Sequence, residues 1–203
     1  MIANTDLLLA LATFCAVTLF TPGPNNLMLM TSGLNYGFRR ALPHFWGVNL
    51  GFTLMVLLVG LGLGKAFEAA PALYTTLKYL GAAYLLYLAW EIATAGPIEG
   101  SGERSGAPIT FLQAAAFQWV NPKAWVMAVG AVSAYASIAP FPWNMLIISG
   151  LFGLLGCGSS GTWVAFGAAL QRLLTNPRQV RIFNVVMALL LVASLWPIVA
   201  DLF

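Results

Sequence analysis

The chain has 203 residues, 60% of them hydrophobic and 7% charged, and its mean hydropathy is +0.85. A soluble domain carries about 25% charged residues, so this composition excludes water as the solvent for most of the surface. The formal net charge of +3 does not point to nucleic acid, because the few Lys and Arg sit in short gaps between apolar runs rather than along one polar face.

The whole of 1–203 is expected to be one transmembrane domain, with room for about six crossings of a hydrocarbon core about 30 Å thick. The opening MIANTDLLLALATFCAV lacks the basic n-region of a secretory signal peptide and has no small-residue cleavage site, so it is expected to persist as helix one. That helix begins near Asn4 or Asp6 and meets T-P-G-P-N-N at 21–26, after which an apolar stretch resumes to about Tyr36. A helix cannot pass two prolines unbroken, and two half-helices are expected. Helix two is predicted over about 42–64 and helix three over about 73–95. Helix four covers about 110–137 with a break at Asn121-Pro122, helix five about 143–170 and helix six about 180–200. The two cysteines, Cys15 and Cys157, fall inside apolar runs and are read as packed side chains, with no disulfide framework, metal site or cofactor implied.

The Gly, Ser and Pro stretch GPIEGSGERSGAP divides the chain into repeat one, about 1–97, a linker, about 96–108, and repeat two, about 109–203. An offset of about 100 residues sets Pro22 against Pro122 and Gly47 against Gly150. Each repeat holds three helices, an odd number, so the second copy must enter the membrane from the opposite side. The expected fold is an all-α membrane protein of six transmembrane helices in two inverted three-helix repeats, with helices one and four broken at the Pro motifs. Arg39, Arg40, Arg104, Arg172, Arg178 and Arg181 lie in gaps one, three and five, against Lys65 and Lys78 on the other face. That bias puts both termini outside the cytoplasm, in the periplasm of a bacterial inner-membrane protein. Trp46, Trp90, Trp143 and Trp196 fall near predicted helix ends, where interfacial aromatics belong.

Broken helices in corresponding positions of two repeats point to a binding site near the midplane. Pro22 frees the carbonyl of Thr18, Pro24 that of Phe20 and Pro122 that of Gln118, and these are expected to accept from an ammonium group. Thr21 is expected to cap the second half-helix, whose first amides would attract a carboxylate. Asn25 and Asn26 can both donate and accept, as a zwitterion requires. Lys123 lies midway along helix four, where a cation costs roughly 2.5–3.5 kcal/mol, and is expected to face the bundle interior unless it snorkels to an interface. Gln118 and Asn121 extend its polar face, and Asn49 and Asn184 are further candidates, with interhelical hydrogen bonding as the alternative reading. Glu91, one turn from the cytoplasmic end of helix three, is read as a snorkelling or surface residue, with proton coupling as the alternative, and His44 as part of a solvated helix end.

The stretch TPGPNNLMLMTSGLNYGFRRALPHFWGVNLGF closely resembles the opening of the LysE/RhtB family of amino-acid exporters. KYLGAAYLLYLAW and FQWVNPKAW are similar to that family's third helix and second Pro-containing segment, and the likeness covers essentially the whole chain. GAAYLLYLAWEIAT and NVVMALLLVASL are most similar to its cysteine and O-acetylserine exporter branch. The resemblance implies gradient-driven export of amino acids without bound ATP, and no enzyme activity. Its hallmark residues fall here on Thr21, Pro22, Gly23, Pro24, Asn25, Asn26, Asn121, Pro122 and Lys123. The partners implied are an amino-acid substrate and the lipid bilayer, with a homodimer allowed for and no nucleic acid. A membrane thiol-redox protein using the two cysteines, and a passive pore or scaffold, are the competing readings.

Overall fold

The computed structural model describes residues 5–63, 71–95, 107–174 and 176–196. Among these residues every regular element is helical, as lipid requires of a backbone that must satisfy its own hydrogen bonds. Helix α1 (Thr5–Phe20) stops ahead of Pro22, and α2 (Pro24–Arg40) restarts bent by 55° from it. Near the end of α2, Gly37 has φ 76°, a left-handed conformation that costs glycine nothing. Helix α3 (Leu42–Leu58) follows almost at once and ends in a π-helical turn, Val59–Leu63. Helix α4 (Pro71–Thr94) completes the first half.

The second half opens on α5 (Phe111–Gln118). Its start is a capping box, in which Gln113 N donates to Thr110 Oγ1 at 3.3 Å and Thr110 N to Gln113 Oε1 at 2.9 Å. Helix α6 (Pro122–Tyr135) follows, then a short 3-10 turn, Ala136–Ile138, then α7 (Trp143–Leu173) and α8 (Pro177–Ala193). By length and composition Leu42–Leu63 and Trp143–Leu173 are each able to cross a membrane, and α1 with α2 is so as a bent pair.

Asn-Pro starts a helix twice. Asn121 Oδ1 accepts from Lys123 N at 3.1 Å and Asn176 Oδ1 from Arg178 N at 2.9 Å, each with proline at the first helical position. The second of these moves the start of the last helix back from the expected Val180 to Pro177. Residue 64, most of the linker, Lys65, Arg104 and the residues beyond 196 lie outside the described residues, as does the side chain of Lys78. Arg39, Arg40, Arg172 and Arg178 are exposed at helix ends, and Trp46, Trp90, Trp143 and Trp196 are exposed as well.

Between apolar helices in lipid there is no hydrophobic force to draw surfaces together, so close approach through small residues carries the packing. The most extensive interface joins α2 to α7. A Cβ on Gly33 would lie 2.2 Å from Val164 O, and one on Gly167 1.9 Å from Met30 O, so each glycine admits the other helix's backbone. Helix α3 sits against α5 and α7, and α4 against α8. Two apolar clusters result, one containing Leu29, Leu88 and Leu191 and the other Leu11, Met55 and Ala128. Cys15 is buried in the second cluster and Cys157 packs against the first, both as free thiols.

Candidate pocket at the helix breaks

A pocket enclosing about 500 Å³ of empty space, open mouth included, lies where α1 hands over to α2. Gly23, Asn25, Asn26, Asn49, Asn121 and Lys123 line it, which brings together half of the residues expected from the sequence. Thr18, Ser159 and Ser160 add hydroxyls, while Val48, Phe52, Met127 and Phe152 form an apolar wall. Ser159 and Ser160 belong to the run G-C-G-S-S-G in α7, and a small-residue string in a long apolar helix was the signal that could have identified them.

The exposed backbone of the break is bonded by side chains. Leu19 O accepts from Asn26 Nδ2 at 2.7 Å and from Ser159 Oγ at 2.8 Å, and Thr18 O from Thr21 Oγ1 at 2.8 Å. Thr21 O accepts from Asn26 Nδ2 at 2.9 Å and from Lys123 Nζ at 2.8 Å, and Lys123 Nζ also donates to Thr21 Oγ1 at 3.1 Å. This corrects two expectations. The carbonyls of Thr18 and Gln118 are engaged, the latter by Asn121 N at 3.4 Å, and the ammonium bound at the break is Lys123's own. Thr21 does not cap α2: the N-cap is Gly23, which has no side chain to cap with.

That difference leaves α2 and α6 unlike. Both begin with proline, Pro24 and Pro122. The N-terminus of α6 is closed by Asn121, whereas the N–H groups of Asn25 and Asn26 precede the first helical bond of α2, Leu27 N to Gly23 O at 3.0 Å. A Cβ on Gly23 would lie 3.0 Å from Lys123 Cδ and 3.1 Å from its Nζ, so the absence of a side chain there lets the lysine lie across this helix start. An ammonium has three donors, and two are used on Thr21. Pocket, positive helix end and cation therefore coincide.

Gln118 is fully buried and exchanges amide hydrogen bonds with Asn25, Asn25 Nδ2 to Gln118 Oε1 at 2.8 Å and Gln118 Nε2 to Asn25 Oδ1 at 3.2 Å. This pair ties α2 to α5. Removing one partner strands the other, so Asn25→Ala and Gln118→Ala should be strongly non-additive. A double-mutant cycle on thermal unfolding should give a coupling of about 0.5–3 kcal/mol, and simple additivity would show that the pair is not formed.

Asn184 lies elsewhere. It pairs with Asn35 at 3.0 and 3.2 Å and donates to Ala95 O at 3.4 Å, which makes it a clasp between α8, α2 and the end of α4. His44 is not solvated as expected but wholly buried, with Nδ1 2.8 Å from Ser32 Oγ.

The family model for LysE type translocators matches residues 16–194. The cysteine/O-acetylserine efflux proteins of Escherichia coli (strain K12) and Shigella flexneri are each 36% identical over 190 residues, covering 92% of this chain and 94% of theirs. No solved structure matches the chain. A family model spanning most of the sequence, relatives aligned over nearly their full length and apolar helices fit for a bilayer lead to one conclusion: the chain belongs to the LysE type translocator family and is a multi-pass membrane transporter, not an enzyme.

Proposed function

We propose that the chain exports amino acids or close derivatives from the cytoplasm, binding them in the pocket at the break between α1 and α2. The observation that carries this reading is the uncapped start of α2 beside Lys123, a site for a carboxylate. The substrate ammonium faces Asn49 Oδ1 and the hydroxyl of Ser160, which donates to that oxygen at 3.5 Å on the pocket wall. The small apolar wall suits a short side chain, and the relatives' names make cysteine and O-acetylserine the first substrates to try.

The reading includes six spans in two inverted repeats: α1 with α2, α3, α4, then α5 with α6, α7, and α8. The packing pattern supports it. If the halves exchange, span one on five becomes four on two, and both interfaces exist, α1 and α2 on α7 and α5 on α3. The pairs two with five, three with six and one with four map onto themselves, and each is also in contact. With this topology the basic helix ends face the cytoplasm and both termini the periplasm.

Counterflow of radiolabelled cysteine and O-acetylserine in proteoliposomes tests the function, and flux against a gradient separates a transporter from a pore. The Pro22→Ala, Pro24→Ala double variant should insert normally and transport several-fold more slowly, because a continuous helix would close the exposed backbone. Unchanged transport by that variant would place the binding site elsewhere.

A further inference from the structure

A second cavity, with about 320 Å³ of empty space, opens between α2 and the C-terminal part of α4. Its polar wall is Thr31, Ser32, Asn35 and Tyr36 from α2 and Glu91 from α4. Asp6 and Glu91 are the carboxylates among the described residues, so a charge retained here is conspicuous in so apolar a chain. Tyr87, one turn back on α4, donates its hydroxyl to Glu91 Oε1 at 2.6 Å. A phenol on one oxygen stabilises the anion and leaves the second oxygen to accept from a ligand.

The opposite charge stands beyond the facing wall, on exposed Arg40, which does not itself line the cavity. Its guanidinium lies 5.7 Å from the ring centroid of Tyr36, which does line it, so a cation ends α2 near the cavity and an anion lies on the α4 side. The wall between them is held in place: Thr31 Oγ1 donates to Leu27 O at 2.8 Å, Ser32 Oγ meets His44 Nδ1 at 2.8 Å, and Asn35 is clasped by Asn184 at 3.0 Å. Along α2, Ser32 is seven residues beyond Asn25 of the first pocket, about 10 Å at 1.5 Å per residue. The two cavities thus share a helix and lie in series.

We infer that this cavity is a second substrate site, which receives the zwitterionic headgroup of an α-amino acid with its ammonium on Glu91 and its carboxylate toward Arg40. It is filled before the substrate moves along α2 to the break. The inference rests on the exporter reading above. It identifies Glu91 as a fixed anion for an ammonium group rather than a lipid-facing residue.

The test is equilibrium dialysis of the purified full chain in lipid nanodiscs with radiolabelled L-cysteine under reducing conditions. The wild type should bind two molecules per chain and Glu91→Gln one, with Lys123→Met losing the other. Glu91→Asp, which keeps the charge, should restore part of the second binding. Arg40→Gln should weaken the same molecule at least tenfold, and in everted vesicles Glu91→Gln should raise KM for cysteine about tenfold. One molecule bound to wild type, lost in Lys123→Met and untouched by Glu91→Gln, would overturn the second site and leave the exporter reading standing. Labelled sodium bound in a Glu91-dependent way while cysteine binding stays at one would overturn it in favour of an inorganic cation. Absence of any amino-acid binding would overturn both readings.

Discussion

Lys123→Met is expected to reach the membrane in at least wild-type amount and to export at one tenth of the wild-type rate or less. Methionine has similar length and removes the roughly 2.5–3.5 kcal/mol that a cation costs at mid-membrane, so insertion should not suffer. What is lost is the ammonium that caps Thr21 O and lies across the start of α2. Without it the C-terminus of α1 loses a charged donor and the pocket loses its cation, and a tenfold fall corresponds to about 1.4 kcal/mol. Lys123→Arg separates two roles. A guanidinium retains the charge but is planar, bulkier and practically never deprotonated, so a partner that acts by charge alone survives in part, whereas a lysine that must shed its proton does not. Export measured beside protein level decides, and a fully active Met variant would remove Lys123 from the site.

The second large effect is expected from one methyl group. Gly167→Ala would set a Cβ 1.9 Å from Met30 O and Gly33→Ala one 2.2 Å from Val164 O. Both obstacles are backbone atoms within helices, which cannot rotate away as a side chain does, so α2 and α7 must separate. Overpacking of this kind costs about 1–3 kcal/mol and occasionally more, which for a chain of this size lowers the unfolding midpoint by roughly 2–10 °C. Gly150→Ala is the control, because nothing lies within 4 Å of a Cβ there. Equal midpoints for Gly167→Ala and Gly150→Ala would mean that the two helices do not approach so closely. Since α2 also carries Asn25 and Asn26, the Gly167 variant should lose transport beyond its loss of stability.

Several features of the site were readable from residue type and spacing. Two prolines within three residues must break a helix, and a lysine in mid-span must find a reason to stay, so Gly23, Asn25, Asn26, Asn121 and Lys123 of the pocket were legible in the chain itself. Asn184 was left with two readings, ligand and interhelical clasp, because amides serve equally as both, and the sequence does not say that Asn35 stands opposite. The match of Gly47 to Gly150 likewise hides different surroundings. A Cβ on Gly47 would meet Phe111 O at 2.4 Å, whereas Gly150 faces open space.

The sequence by itself determined the membrane class, the helical content and the helix starts at Pro24 and Pro122, because these follow from local chemistry: hydropathy along the chain and a missing N–H at proline. Tertiary structure alone decided which groups meet across it. Lys123 reaches Thr21 over 102 residues, Asn25 reaches Gln118 over 93 and Asn35 reaches Asn184 over 149. Each of those side chains has several bonding options of similar energy, and the choice among them is made by helix packing through Gly33 and Gly167, where a clearance of a few tenths of an ångström sets which polar atoms come within 3 Å.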